Sequence, residues 1–174
     1  MMRLVALLLG FALLTGCASD PNSGYAFGSA FDEGVGSVSV PQFENLTFTT
    51  GIEADLTDAL VKRIQGHTPW RVATQGAADT VLTGVVTDVR YTELSRKPGL
   101  GFVQEQGFQM TVDFTWTDAR TGEALVERRN FSTASTFIAS RSTEGDPGER
   151  PTVGQREAID EMAEAIVAQL RSRW

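Results

Sequence analysis

The feature that most constrains the fold is a long alternating run in the middle of the chain. Between Thr80 and Leu94, β-branched residues recur at every second position, which is typical of a β-strand. Strict alternation would place Val89 and Tyr91 on the same face as Val81. Similar runs follow at about 104–117 and 123–137, after turn-forming sequences at 95–101 and 118–122. In the first of these, one face carries Met110, Val112, Phe114 and Trp116. We therefore predict three long strands joined by two hairpins.

Two other segments have the periodicity of amphipathic helices. From about Ile52 to Gln65, apolar residues recur every fourth position, while acids near the start and Lys62 and Arg63 near the end complement the helix dipole. The second helix lies at the C-terminus, after a polar, Gly/Pro-rich loop at 140–151. Its apolar stripe consists of Ile159, Met162, Ala163, Ile166, Val167 and Leu170.

A short strand at 37–40, stopped by Pro41, gives the element order β-α-β-β-β-α. Residues 43–51 read as a Thr-rich connection, and 70–73 as a brief extended piece. Each helix has one apolar stripe, so the economical arrangement is an α+β two-layer sandwich. We predict a four-stranded sheet with both helices packed on one face.

The N-terminus has the pattern of an export signal. Arg3 is followed by an apolar stretch from Leu4 to Leu14, which is shorter than the ~20 residues that a membrane-spanning helix needs. The next residues, LTGC, resemble the lipobox at which signal peptidase II cuts before an acylated cysteine. We expect residues 1–16 to be removed as a lipoprotein signal peptide, residues 17–36 to form a lipidated tether, and residues 37–174 to form the domain. An ordinary secreted protein is the alternative.

Cys17 is the only cysteine, so the chain cannot form an internal disulfide, and covalent use of the thiol as a lipid (palmitate) anchor is favoured. Such an anchor holds a protein at the bilayer surface without spanning it. Ala18 and Ser19 follow the cysteine, and by resemblance to sorted lipoproteins the lack of an adjacent Asp favours the outer membrane. We therefore expect a domain attached to its periplasmic face.

Composition argues against several functions. Loss of Arg3 with the leader changes the formal charge from −7 to −8, which disfavours nucleic acid as a partner. With one histidine, His67, and one cysteine, the usual zinc sets cannot be assembled, and we expect no metal or other cofactor. His67 follows a helix and precedes a turn, where an exposed histidine is commoner than a catalytic base. The carboxylates Asp79 and Asp113 leave a hydrolase as an alternative, but we predict that the protein is not an enzyme.

Three segments then resemble the LptE family of lipopolysaccharide-assembly lipoproteins. They are VSVPQFENLTF at 38–48, the stretch 51–64 that contains GIE and LTDALVKRI, and ADTVLTG at 78–84. Gly24-Tyr25, soon after Cys17, also fits. The resemblance implies a β-α-β-β-β-α domain that plugs the lumen of an LptD-type outer-membrane β-barrel and assists its maturation and lipopolysaccharide transport. It also implies that the chain does no chemistry of its own.

Lipopolysaccharide carries phosphates, so contact with it needs a local cationic cluster. Arg96 and Lys97 in the predicted turn, with Arg90 nearby, are the candidate residues, and Arg128 and Arg129 are a second choice. Solubility is the competing explanation for these charges. The short Val-Pro-x-Phe-x-Asn motif also resembles LpoB- and CsgG-like periplasmic lipoproteins, so a domain that binds and regulates another envelope protein is the alternative function.

Overall fold

The computed structural model describes residues 31, 34–96, 103–138 and 151–171. Within these residues, neither helix is both long and apolar enough to cross a bilayer. The elements, in chain order, are strands β1 (Ser37–Ser39) and β2 (Glu44–Asn45), helix α1 (Ile52–His67), strands β3 (Arg71–Val72), β4 (Thr80–Arg96), β5 (Val103–Asp118) and β6 (Ala124–Ile138), and helix α2 (Pro151–Arg171).

The strands form one mixed sheet of six strands in the order β3-β1-β4-β5-β6, with β2 also paired to β4. β1 runs parallel to both β3 and β4, whereas β4, β5 and β6 are antiparallel neighbours. β1 and β2 lie along the same edge of β4, since Val38 pairs with Thr80 and Glu44 pairs with Val85. Together they line one side of β4 as a strand interrupted at Pro41, which has no backbone N–H to donate.

Both helices pack on the same side of the sheet, as predicted. α2 contacts α1, β5 and β6, and the buried residues of both helices join one hydrophobic core with those of the strands. All four apolar residues predicted to share a face of β5 are buried in that core. The Trp116 ring packs against Trp70, with centroids 5.2 Å apart. Among the described residues, no helix covers the other face of the sheet.

The prediction of four strands was wrong, because two short strands add to the sheet. β3 lies where a brief extended piece was expected, and β2 lies in the segment interpreted as a loop. Each is two residues long and is defined by hydrogen bonds to a distant neighbour, so neither has room for a periodic pattern of its own.

The alternation in β4 is broken at Thr87. Val86 pairs with Val112 and Asp88 pairs with Thr111, so one extra residue is inserted between them. Such a bulge shifts every later side chain to the opposite face. Val89 and Tyr91 therefore share the helix-bearing face with Leu82, and the expectation that they accompany Val81 was wrong.

The chain before β1 is attached to the domain at Phe31. Its ring makes an edge contact with Trp70, with centroids 5.2 Å apart, and the Arg171 guanidinium lies 4.8 Å from its centre. Phe31 and Val35 pack against the core. One of the aromatic residues assigned to the tether thus packs on the domain, at the end where both helices terminate.

Candidate functional site

One surface available for a partner is the sheet face opposite the helices, called here the open face. It is polar, and threonines dominate its centre. The hydroxyls of Thr83, Thr87 and Thr117 donate to carbonyl oxygens of a neighbouring strand, at distances of 3.2–3.4 Å. The exposed residues of this face include Thr83, Arg90, Thr92, Gln109, Glu127, Ser132 and Thr136.

A groove of about 250 Å³ crosses the open face between β2 and β5. Glu44, Thr83, Asp113 and Thr115 supply its polar lining. Asp113 Oδ1 accepts a 2.7 Å hydrogen bond from the backbone N–H of Asn130, which has a positive φ of 51°. Asp113 therefore supports an irregularity in β6, where the register with β5 shifts.

Gly84, which also lines the groove, makes a close contact on the opposite, helix-bearing side of the sheet. An added Cβ would lie 2.3 Å from Cε2 of the buried Phe43 ring and 2.9 Å from the Asp113 carbonyl oxygen. Phe43 thus packs directly against the β4 backbone on the helix-bearing side. This contact holds β2, and with it Glu44, against the sheet.

Of the three residues predicted to bind lipopolysaccharide, the structure describes the side chain of one. Arg90 lies on the open face, paired in register with Gln109, and its Nε is 2.6 Å from Oδ2 of Asp88. Arg96 ends β4 opposite Val103, and only its backbone is described. Lys97 lies outside the described residues, and so does Cys17.

The second-choice cations are separated from Arg90. Arg128 pairs in register with the buried Phe114, and its Nε donates to Oε1 of Gln169 at 3.0 Å, so it serves the contact between β6 and α2. Arg129 forms a 3.0 Å ion pair with Glu127. These cations therefore do not form one cluster with Arg90.

The carboxylates of the hydrolase alternative are also apart. Asp79 precedes β4 and Asp113 pairs with Val85, so about six residue steps, or ~20 Å along the sheet, separate them. Paired-acid glycosidases need roughly 5–9.5 Å. Asp79 Oδ2 accepts hydrogen bonds from Ser37 Oγ (2.7 Å) and the Gly36 N–H (3.2 Å), and these bonds, chiefly that of Ser37, lower the pKa of Asp79. Its role is to tie β1 to the start of β4.

The remaining chemical candidates also have structural roles. His67 is the exposed last residue of α1, 3.5 Å from Arg63 Nη1. Glu164 forms a 3.0 Å ion pair with Arg63, across the two helices. A groove of about 330 Å³ lies between the helices. Both acidic and basic side chains line it, namely those of Asp55, Asp58, Lys62, Arg156 and Asp160. Among the described side chains, no group of three acids, histidines or cysteines is placed to hold a metal.

One surface feature was missed at the sequence level. Leu46 and Phe48, in the connection between β2 and α1, are 71% and 105% exposed, the highest values among the large hydrophobic side chains that the structure describes. The signal was visible in the sequence as two large apolar residues within a threonine-rich loop. It was overlooked because such residues usually serve the core.

Comparison with known proteins agrees with the fold. The family model described as "LptE: Lipopolysaccharide-assembly" matches residues 35–174, which is well over half of the chain. No curated protein matches it significantly.

Solved structures share the architecture at low sequence identity. The hypothetical protein CT253 from Chlamydia trachomatis aligns with a TM-score of 0.55 and 8% identity, covering 80% of this chain and 97% of its own. Uncharacterized lipoprotein B from Nitrosomonas europaea aligns with a TM-score of 0.55 and 14% identity, covering 79% and 83%. At these identities the likeness concerns the fold alone.

Proposed function

Because the chain belongs to the LptE family of lipopolysaccharide-assembly proteins, we propose that it is an outer-membrane lipoprotein that plugs an LptD-type β-barrel and assists lipopolysaccharide transport. The observation that carries this proposal is the family match over residues 35–174. In this function the domain acts by contact and catalyses no reaction. The separation of Asp79 from Asp113 supports that view, since this pair cannot share a substrate bond.

The open face supports the role of a plug. A barrel lumen is lined with polar side chains. The open face carries threonines, Gln109 and charged residues, so it can lie against such a lumen as one polar surface against another. Because strand-to-strand bonds already satisfy several threonine hydroxyls, the cost of removing them from water is low. The domain's acidic charge would require complementary cations in the barrel.

The position of Phe31 supports an orientation. About 14 residues separate Cys17 from Phe31, so a lipid on Cys17 would keep Phe31 within roughly 50 Å of the membrane. Arg96 lies at the other end of β4, which at ~3.3 Å per residue is roughly 50 Å long. We therefore place the anchored end near the periplasmic leaflet and the Arg96 end of β4 inside the barrel.

Purification from native membranes tests the main proposal. The expected result is a stoichiometric β-barrel of the LptD type in the purified complex. Capture of a cell-wall synthase instead would support the regulatory alternative suggested by the LpoB-like motif. Cys17→Ser should release the protein from membranes, and a membrane-bound Cys17→Ser protein would contradict the anchor.

We propose that Arg96, at the end of β4, and Lys97 after it contact lipopolysaccharide. Arg90, the third predicted residue, lies six residue steps back along β4, or ~20 Å away, and so is not part of one cluster with Arg96. Arg90 already neutralises Asp88, so Arg96 and Lys97 must supply most of the free positive charge. The double variant Arg96→Glu/Lys97→Glu should weaken lipopolysaccharide binding by tenfold or more, while the control Arg71→Glu/Arg120→Glu, of equal charge, should not. Equal losses in both variants would show that only overall charge matters.

A further inference from the structure

Leu46 and Phe48 are displayed on a short and well-held loop. The residues on either side of it, Phe43 and Ile52, are buried in the core. The backbone N–H of Leu46 donates to the Val86 carbonyl at 2.9 Å, which joins the loop to β4. The Phe48 ring nevertheless faces solvent completely.

Asn45 fixes the loop from inside. Its Nδ2 donates to the Thr49 carbonyl and to Glu53 Oε2, both at 2.8 Å. Its Oδ1 accepts from the N–H and the hydroxyl of Thr47, also at 2.8 Å. These four hydrogen bonds of the Asn45 amide all stabilise the loop conformation that exposes Phe48. A preformed loop loses little conformational entropy on binding.

The chain is acidic on both sides of the loop. Between Ala18 and Val61 the sequence contains seven acids and no lysine or arginine. Glu44 precedes the loop, while Glu53 and Asp55 follow it in the first turn of α1. This charge would be repelled by anionic lipid headgroups and by lipopolysaccharide phosphates, so a membrane is a poor match for the exposed ring. A cationic protein surface is a good match.

We propose that Leu46 and Phe48 form an apolar anchor that inserts into a pocket on a protein partner, and that lysine or arginine side chains surround this pocket. Buried aromatic side chains dominate many interfaces, and a ring held in place is suited to that role. The identification of this partner as the β-barrel rests on the proposed function. The anchor itself does not depend on it.

Site-specific photocrosslinking in intact cells identifies what the ring touches. p-Benzoylphenylalanine replaces Phe48 in the full-length chain, and Gln75, exposed in the turn before β4, is the control position. The expected product is a single adduct between position 48 and the barrel, absent at position 75. An adduct with a different protein would keep the anchor and overturn the proposed function. Adducts with lipid alone, or none while the barrel still copurifies, would overturn the anchor and keep the proposed function.

Retention of the crosslinked partner in copurification measures the strength of the anchor. Phe48→Asp should reduce retention at least tenfold. The control Gln75→Asp, which adds the same charge at an exposed position in the turn before β4, should leave retention within twofold. The thermal midpoint of Phe48→Asp should equal that of the wild type, because the ring makes no core contact. Unchanged retention in Phe48→Asp would overturn the anchor.

Charge reversal tests the nature of the pocket. Glu44→Lys/Asp55→Lys should also weaken retention severalfold, and the effect should shrink at high salt because ionic screening weakens the attraction. Retention that is unchanged or stronger in this variant would overturn the cationic surround.

Discussion

Replacement of Gly84 by alanine tests how β2 is held on the sheet. The new methyl would lie 2.3 Å from Phe43 Cε2 and 2.8 Å from Cδ2, whereas carbon atoms pack at about 3.5–4.0 Å. The ring would have to move by more than an ångström in a core where Phe43 is only 2% exposed. Overpacking of this kind costs about 1–3 kcal/mol of unfolding free energy.

A smaller effect opposes this cost. Alanine restricts the unfolded chain more than glycine does, which stabilises a protein by about 0.4–1 kcal/mol where the backbone permits it. The net expectation for Gly84→Ala is a loss of ~1–2 kcal/mol, and at about 2–4 °C per kcal/mol for a chain of this size the thermal midpoint should fall by several degrees.

Gly107→Ala is the matched control. Gly107 also lies in a long strand, has no positive φ, and its added Cβ would meet Leu94 Cδ1 at an ordinary 3.6 Å. It should be neutral or slightly stabilising. Urea unfolding followed by tryptophan fluorescence measures both, since Trp70 and Trp116 are buried. If Gly84→Ala is as stable as Gly107→Ala, or if its cost is no smaller in a Phe43→Leu background, the proposed clash with the ring is refuted.

Three further predictions follow from individual contacts. The folded-state pKa of Asp79 lies below its ordinary value of 3.8, so its ionised form stabilises the fold above that pH, and the effect disappears as the pH falls through the lowered value. Asp79→Asn should therefore be less stable than the wild type at pH 7 but lose less stability on acidification. Urea unfolding from pH 7 to 3 measures this, and unfolding free energies of the two proteins that fall in parallel with pH would contradict it. Asn130 has a φ of 51°, so Asn130→Val should cost about 1–2 kcal/mol while Asn130→Gly stays close to the wild type, and equal stabilities would argue against backbone strain. Phe31→Ala should lower the unfolding free energy by about 1–2 kcal/mol through its contacts with Trp70 and Arg171, with Phe31→Leu intermediate, and a neutral result would show that the tether is not held there.

The candidate surfaces were only partly visible in the sequence. Arg90, Arg96 and Lys97 stand close together in the chain, and that closeness suggested a cationic cluster. The ion pair between Arg90 and Asp88 reduces the charge available there, because residues two apart on a strand share a face. The open face could be expected, since both predicted helices had to bury their stripes on one side. Its threonine bonds depend on the register between β4 and β5, and the groove depends on β2, which the sequence did not reveal.

By itself, the sequence determined the elements whose pattern repeats many times. α1 and the three long strands were predicted from side-chain periodicity, because the backbone of a helix or a strand imposes that period locally. The tertiary structure decided the rest. Three features each depend on residues far apart in the chain. They are the pairing of β2 with β4 and of β3 with β1, the bulge at Thr87, and the attachment of Phe31 to Trp70. Packing and hydrogen bonding in the folded state determine such contacts, so the local periodicity of the sequence does not predict them.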